Sequence, residues 1–173
     1  STDVVTRLSR VVLEPFQLPG VTAMKLAKTL LTVALVTLTT CANAVDGMVS
    51  LKSPHAARET MDRFESLVKA RGLTVFIRID HAAGAAKIGK LLRPTEVLIF
   101  GNPQGGTPLM ECAQTSGIDL PLKALVWEDA SAQIWLGYND PSYLAQRHAA
   151  GDCPVVANLR KTLSGLAEAA VAK

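Results

Sequence analysis

Apolar residues recur along the chain with two periods. In "LTVFIRID" (73–80), Leu73, Val75, Ile77 and Ile79 occupy every second position, the period that puts them on one face of a strand. "MVSLKS" (48–53) alternates more weakly and reads as a first strand. "EVLIFG" (96–101) is apolar on both faces, which places it centrally in a sheet. "LKALVWED" (122–129) and "QIWLGY" (133–138), separated by a short turn, predict an antiparallel hairpin. The helical period appears after Ser53-Pro54, a cap-then-proline start. There Ala57, Met61, Phe64 and Val68 form one stripe, His55, Glu59, Asp62 and Ser66 the opposite one, and Gly72 a stop. "AAGAAKIGKLL" predicts a short helix, marginal because of Gly84 and Gly89, and ended by Pro94. "GNPQGG" reads as a loop, with Thr107-Pro108 capping a short helix through Gln114. Asn139-Asp140-Pro141 starts another helix that Gly151 and Asp152 break. A last helix, from about Pro154 to Ala172, carries Val155, Leu159, Leu163, Leu166 and Ala170 on one side. The order β-α-β-α-β-α-β-β-α-α predicts an α/β (α+β) domain, with a single mixed sheet of about five strands and helices packed on it.

Ahead of these elements the pattern changes. From Met24, "MKLAKTLLTVALVTLTTCANA" has two lysines, an apolar stretch from Thr29 to Leu38 and a small-residue Ala42-Asn43-Ala44 site. That is the layout of a secretory signal peptide over residues 24–44, cleaved after Ala44. The stretch is shorter than the ~20 apolar residues of a membrane-spanning helix. Cys41 leaves lipidation as a second reading, but Thr40 stands where a small residue normally precedes a lipidated cysteine. Residues 1–23, which open on Ser1, make no sense in front of a signal peptide and are expected to be an upstream extension that is not native. Taking away residues 1–44 removes four of 18 Lys and Arg and two of 15 Asp and Glu, leaving 129 residues with a net charge of +1. A near-neutral domain without basic clusters argues against nucleic acid as a partner.

Three segments together, "LTVFIRIDHAAGAAKIGKLLRPTEVLIFGNPQGGTPLM", "AQTSGIDLPLKALVWED" and "WLGYNDPSYLAQRH", resemble the bacterial and archaeal family named domain of unknown function 302. The resemblance spans about Lys52 to His148. It implies a compact α/β domain, usually found alone, and a homodimer. It implies no reaction, and no cofactor is expected. Cys112 departs from the family, where a small residue such as alanine is expected.

A helical crossover between strands 73–80 and 96–101 would make them parallel and right-handed. Asp80, His81, Gly101 and Asn102 would then share one sheet edge, where open α/β sheets bind ligands. Asp80 and His81 could act there as a proton-transfer pair; alternatively, one of them merely caps the helix beginning at Ala82. Arg78 reads either as an anion ligand or as a half-exposed salt-bridge partner. "GNPQGG" lacks the lysine and hydroxyl of a phosphate loop and can serve only as pocket wall. His55 lies on a polar stripe and is expected in solvent. No zinc or haem spacing occurs, so no metal is assigned; His81, His148 and Cys153 would have to meet in space to hold one. Trp127 and Trp135 read as core or dimer surface. An oxidising compartment permits Cys112 and Cys153 to pair, but their elements have no assigned contact, and two separate thiols are expected.

The reading from sequence is an exported, periplasmic or secreted domain that binds a small ligand or an envelope partner without catalysis. The alternatives are an enzyme using the Asp80–His81 pair and a structural envelope protein. A homodimer is expected, because strand 122–129 is apolar on both faces (Leu122, Ala124 and Val126 against Leu125 and Trp127) and one layer of helices covers one face.

Overall fold

The computed structural model describes residues 46–173. The expected extension, signal peptide and Cys41 lie outside them. Five strands, β1 (Met48–Ser53), β2 (Thr74–Asp80), β3 (Thr95–Gly101), β4 (Leu122–Glu128) and β5 (Ile134–Asn139), form one sheet in the order β1-β5-β4-β3-β2. Five α-helices accompany them among the described residues: α1 (Ala57–Ala70), α2 (His81–Lys87), α3 (Pro103–Cys112), α4 (Pro141–Arg147) and α5 (Val155–Val171). A 3-10 turn, Gln114–Ile118, follows α3. The element order is the one expected, in an α+β fold.

The sheet is not mixed. Every strand pair is antiparallel, including β2 with β3, where Asp80 lies opposite Glu96 and Thr74 opposite Gly101. The expected parallel crossover fails on length and polarity. Helix α2 has seven residues, about 10 Å of rise, against roughly 20 Å for the strand it would have to retrace. It also buries no residue, so no apolar stripe holds it flat on the sheet. Gly89, at φ +69°, helps turn the chain back instead.

Two helix starts differ in detail. Helix α1 begins at Ala57, not directly after Ser53, whose hydroxyl is engaged with Thr60 Oγ1 at 2.7 Å. Helix α3 begins at Pro103, so the supposed loop "GNPQGG" contains its first turn. Asn102 caps that turn by accepting from the Gly105 N–H at 2.9 Å. Asn102-Pro103 is the same cap-then-proline signal that marks Asp140-Pro141, where Asp140 accepts from the Ser142 N–H.

The core lies between one face of the sheet and helices α1 and α5. Met61, Phe64 and Val68 of α1 are fully buried, as are Leu98, Phe100, Ala124 and Leu136 of the sheet. The Phe64 and Phe100 rings meet edge to face at 5.4 Å. The alternation of β2 is broken by a bulge between Val75 and Ile77. Val75 and Arg78, opposite Phe100 and Leu98, therefore face the helices, while Ile77 and Ile79, opposite Ile99 and Val97, face away. The four apolar residues of "LTVFIRID" do not share a face, as simple alternation predicted.

The other sheet face carries Ile77, Ile79, Val97, Ile99, Leu125, Trp127 and Trp135, all half-buried or exposed. Trp127 and Trp135 stack at 6.2 Å, with the Lys52 ammonium 5.4 Å above the Trp135 ring. Gly137 lets Trp127 and Met48 close over it; a Cβ there would lie 2.4 Å from Met48 Cε.

Cys112 and Cys153 are joined, with Cα atoms 6.0 Å apart. This overturns the expectation of two separate thiols. The end of α3 packs against the segment leading into α5, a contact that the pattern of either element alone does not encode.

Candidate functional site

The antiparallel pairing separates the residues expected to form one pocket. Asp80 and His81 lie at one end of β2, beside Glu96; Gly101 and Asn102 lie at the other end of β3, about 17 Å away along five residues of strand. Asp80 Oδ1 accepts from the Ala83 N–H at 2.8 Å, so this carboxylate caps α2. His81 is exposed, and neither residue lines the cavity described below. The Asp80–His81–Gly101–Asn102 pocket does not exist, because a connection that reverses the chain sends the two strand ends to opposite edges.

Arg78 is turned towards α1 by the bulge. Its guanidinium holds Glu96 and Asp62 and lies 3.3 Å from Glu65. Burial disfavours its charge, but the Glu96 and Asp62 carboxylates outweigh that and raise its pKa. The Lys69 ammonium, foremost, and Arg78 hold the Glu65 carboxyl below its usual value. All of this guanidinium's strong contacts are internal, so Arg78 acts as a bolt between β2, β3 and α1.

His55 and His148 also have internal partners. His55, expected in solvent, places Nε2 2.8 Å from the Ala172 carbonyl and fastens the end of α5. His148 lies between Asp119, with Nε2 to Oδ2 at 2.7 Å, and Thr115, with Nδ1 to Oγ1 at 3.0 Å. Arg147 takes the other Asp119 oxygen at 3.0 Å. A hydroxyl, an imidazole and a carboxylate in line have the order of a nucleophile relay. Here, however, the hydroxyl does not line the cavity described below, and the cluster spans the same two segments as the disulfide. It ties the 3-10 turn to the end of α4. No group of three or more His, Cys, Asp or Glu among the described residues is placed to hold a metal ion.

A concavity with a volume of about 590 Å³ lies at the Gly101 end of the sheet. The sheet contributes Phe76, Phe100, Gly101 and Leu122; α3 contributes Gln104, Thr107 and Met110. Asn158, Leu159, Thr162 and Leu163 of α5 form the opposite wall, and Arg71 stands where α1 ends. The bulge exposes Phe76, which is 56% accessible, on this side. Gly105 permits the close approach of α3 to α5, since a Cβ there would sit 3.2 Å from Leu159 Cδ2. Gly101 and Asn102 thus do line a cavity, with different neighbours from those expected. Arg71, Phe76, Asn158 and Thr162 went unnoticed in the sequence. Asn158 and Thr162 are one helical turn apart on the polar side of α5, which reads in isolation as a solvated face.

A family model described as "Domain of unknown function DUF302" matches residues 49–170. The chain belongs to this family. The DUF302 domain is also similar to a solved structure, that of an uncharacterized conserved DUF302 protein from Bacillus stearothermophilus. The TM-score is 0.65 with 19% identity, over 73% of this chain and 99% of that one, a likeness that speaks to the fold. Among curated proteins it is 51% identical over 105 residues to fluoride-specific ion channel FluC 1 of Brucella suis. That match covers 61% of this chain and 41% of the relative. The FluC 1 of Brucella abortus matches at the same identity over 39% of its length. The chain therefore spans about two fifths of the curated relatives it matches.

Proposed function

We propose that this DUF302 domain is an exported binding protein, and that the cavity between the sheet end, α3 and α5 is its binding site. The observation that carries this reading is the cavity itself. Its volume of about 590 Å³ falls within the roughly 300–1,000 Å³ range typical of small-molecule sites. Apolar walls and a few convergent polar groups are the usual composition of such sites. Titration of the 15N-labelled full chain with 1-octanol is expected to shift amide resonances of Phe76, Leu122 and Leu163. Thr162→Trp, which fills the cavity, is expected to abolish those shifts. Shifts confined to the opposite sheet face, or none, would remove the cavity as the site.

Export is supported by the leader-like run ending at Ala44 and by the Cys112–Cys153 bridge, since disulfides persist in oxidising compartments. Fluoride permeation is not carried over from the Brucella relatives. No helix among the described residues is long and apolar enough to cross a membrane, and the shared stretch is a minor part of those proteins.

A homodimer through the uncovered sheet face is part of the proposal. Four large apolar side chains on β2 and the segment after α2 favour it: Ile77 at 50% accessible, Ile88 at 75%, Leu91 at 103% and Leu92 at 50%. Exposed apolar side chains of this kind, together with an apolar sheet face, suit a second copy that a two-fold axis would bring against the same surface.

A further inference from the structure

We infer that the ligand of the cavity is an amphipathic carboxylate, with its chain against the apolar walls and its charged end at Arg71. The inference rests on the cavity being the binding site, and names what that site selects.

Charge comes first. Arg71 is the one charged side chain lining the cavity; no acidic residue and no lysine or histidine lines it. Among the described residues Arg71 forms no ion pair, whereas Arg78, Arg147 and Arg160 each hold a carboxylate. Its guanidinium is therefore available, and its fork of N–H groups matches a carboxylate in two parallel hydrogen bonds.

Position follows from α5. Asn158, Thr162 and Gly165 are spaced four and three residues apart, so they lie in one row along that helix. A Cβ on Gly165 would sit 3.7 Å from Arg71 Nη2, which sets the guanidinium at the end of that row. The row thus forms a polar strip from the Asn158 amide past the Thr162 hydroxyl to a cation. Apolar groups of the sheet face it, Phe76 exposed at the mouth and Phe100 and Leu122 buried deeper, while Leu163 lies beside the strip on α5. A molecule that is apolar along most of its length and anionic at one end satisfies both sides. A neutral chain would leave the guanidinium unmatched, and a cationic one would be repelled.

The test uses the full chain with its disulfide intact and two probes of equal length, octanoate and 1-octanol, titrated calorimetrically at pH 8. Octanoate is expected to bind about tenfold more tightly, equivalent to ~1.4 kcal/mol. Arg71→Gln is expected to bring octanoate down to the affinity of 1-octanol, and a circular dichroism spectrum matching the native one shows that the variant is folded. Equal binding of the two probes, or a preference that survives Arg71→Gln, overturns the carboxylate assignment and leaves the cavity as a site for neutral ligands. Failure of both probes to bind overturns the cavity and the assignment together.

Discussion

Asp129 shows how much one side chain can organise. Its Oδ1 accepts from the N–H groups of Ser131 and Gln133, at 2.8 and 3.0 Å, across the β4–β5 turn. Its Oδ2 accepts from the Trp135 indole at 2.8 Å. The indole N–H, then the Gln133 amide, hold this carboxyl below the ordinary aspartate range. A carboxyl whose folded-state pKa is depressed contributes stability above its unfolded value, and loses it as pH falls through the folded value. The stability gap between the native protein and Asp129→Asn is therefore expected to be widest above about pH 4 and to shrink towards pH 2. Urea titrations of both proteins across that range measure it, and a gap of constant size down to pH 2 would contradict the assignment. Arg78 is organised in the opposite sense, as one cation among three carboxylates. The bulge after Val75 turns it towards them, and nothing in "VFIRID" announces a bulge.

At the scale of elements, the decisive join is between α3 and the approach to α5. These two helices are the facing walls of the cavity, and Cys112 and Cys153 link them across a separation of 41 residues. Closing a loop of this size restrains the unfolded chain, and such bridges contribute typically ~2–4 kcal/mol. Reduction, or Cys112→Ser with Cys153→Ser, is expected to lower unfolding stability by about that amount; an unchanged denaturation midpoint would show that the bridge restrains nothing. The intact mass of the exported protein, run without reduction, is expected to begin at Val45 and to be two hydrogens light. A lipid-modified Cys41 at the first position, or two free thiols, would overturn the processing or the pairing respectively. The His148–Asp119–Thr115 cluster spans the same join, so the 3-10 turn should stay docked when the bridge is cut.

At the scale of the whole domain, antiparallel pairing throughout and one layer of helices leave one sheet face without a helix over it among the described residues. Light scattering at micromolar concentration is expected to give twice the mass of the mature chain. Leu91→Glu combined with Leu92→Glu is expected to give a monomer of unchanged fold. Both side chains are exposed, so charge there has little to disturb within the protomer. A monomer for the native protein would remove the dimer and leave the face to a different partner.

Element order and most of the helix-facing core were legible in the sequence. Periods of two and 3.6 report which side of an element is apolar, and residues such as Met61, Phe64, Val68, Leu159 and Leu163 follow from that alone. Asp80 as a cap and Gly72, at φ +72°, as a helix stop were equally local, since each depends on only a few neighbouring residues. The long-range choices belonged to the tertiary structure. Whether the chain returns parallel or antiparallel after α2 depends on whether that helix has a face to lay on the sheet, and α2 buries nothing. The cavity joins Arg71 and Phe76, neighbours at the α1–β2 junction, with Thr162 far along the chain in α5, and no period within one element can report that meeting. The bridge between Cys112 and Cys153 depended likewise on where two helices came to rest, because pairing requires proximity that composition does not supply.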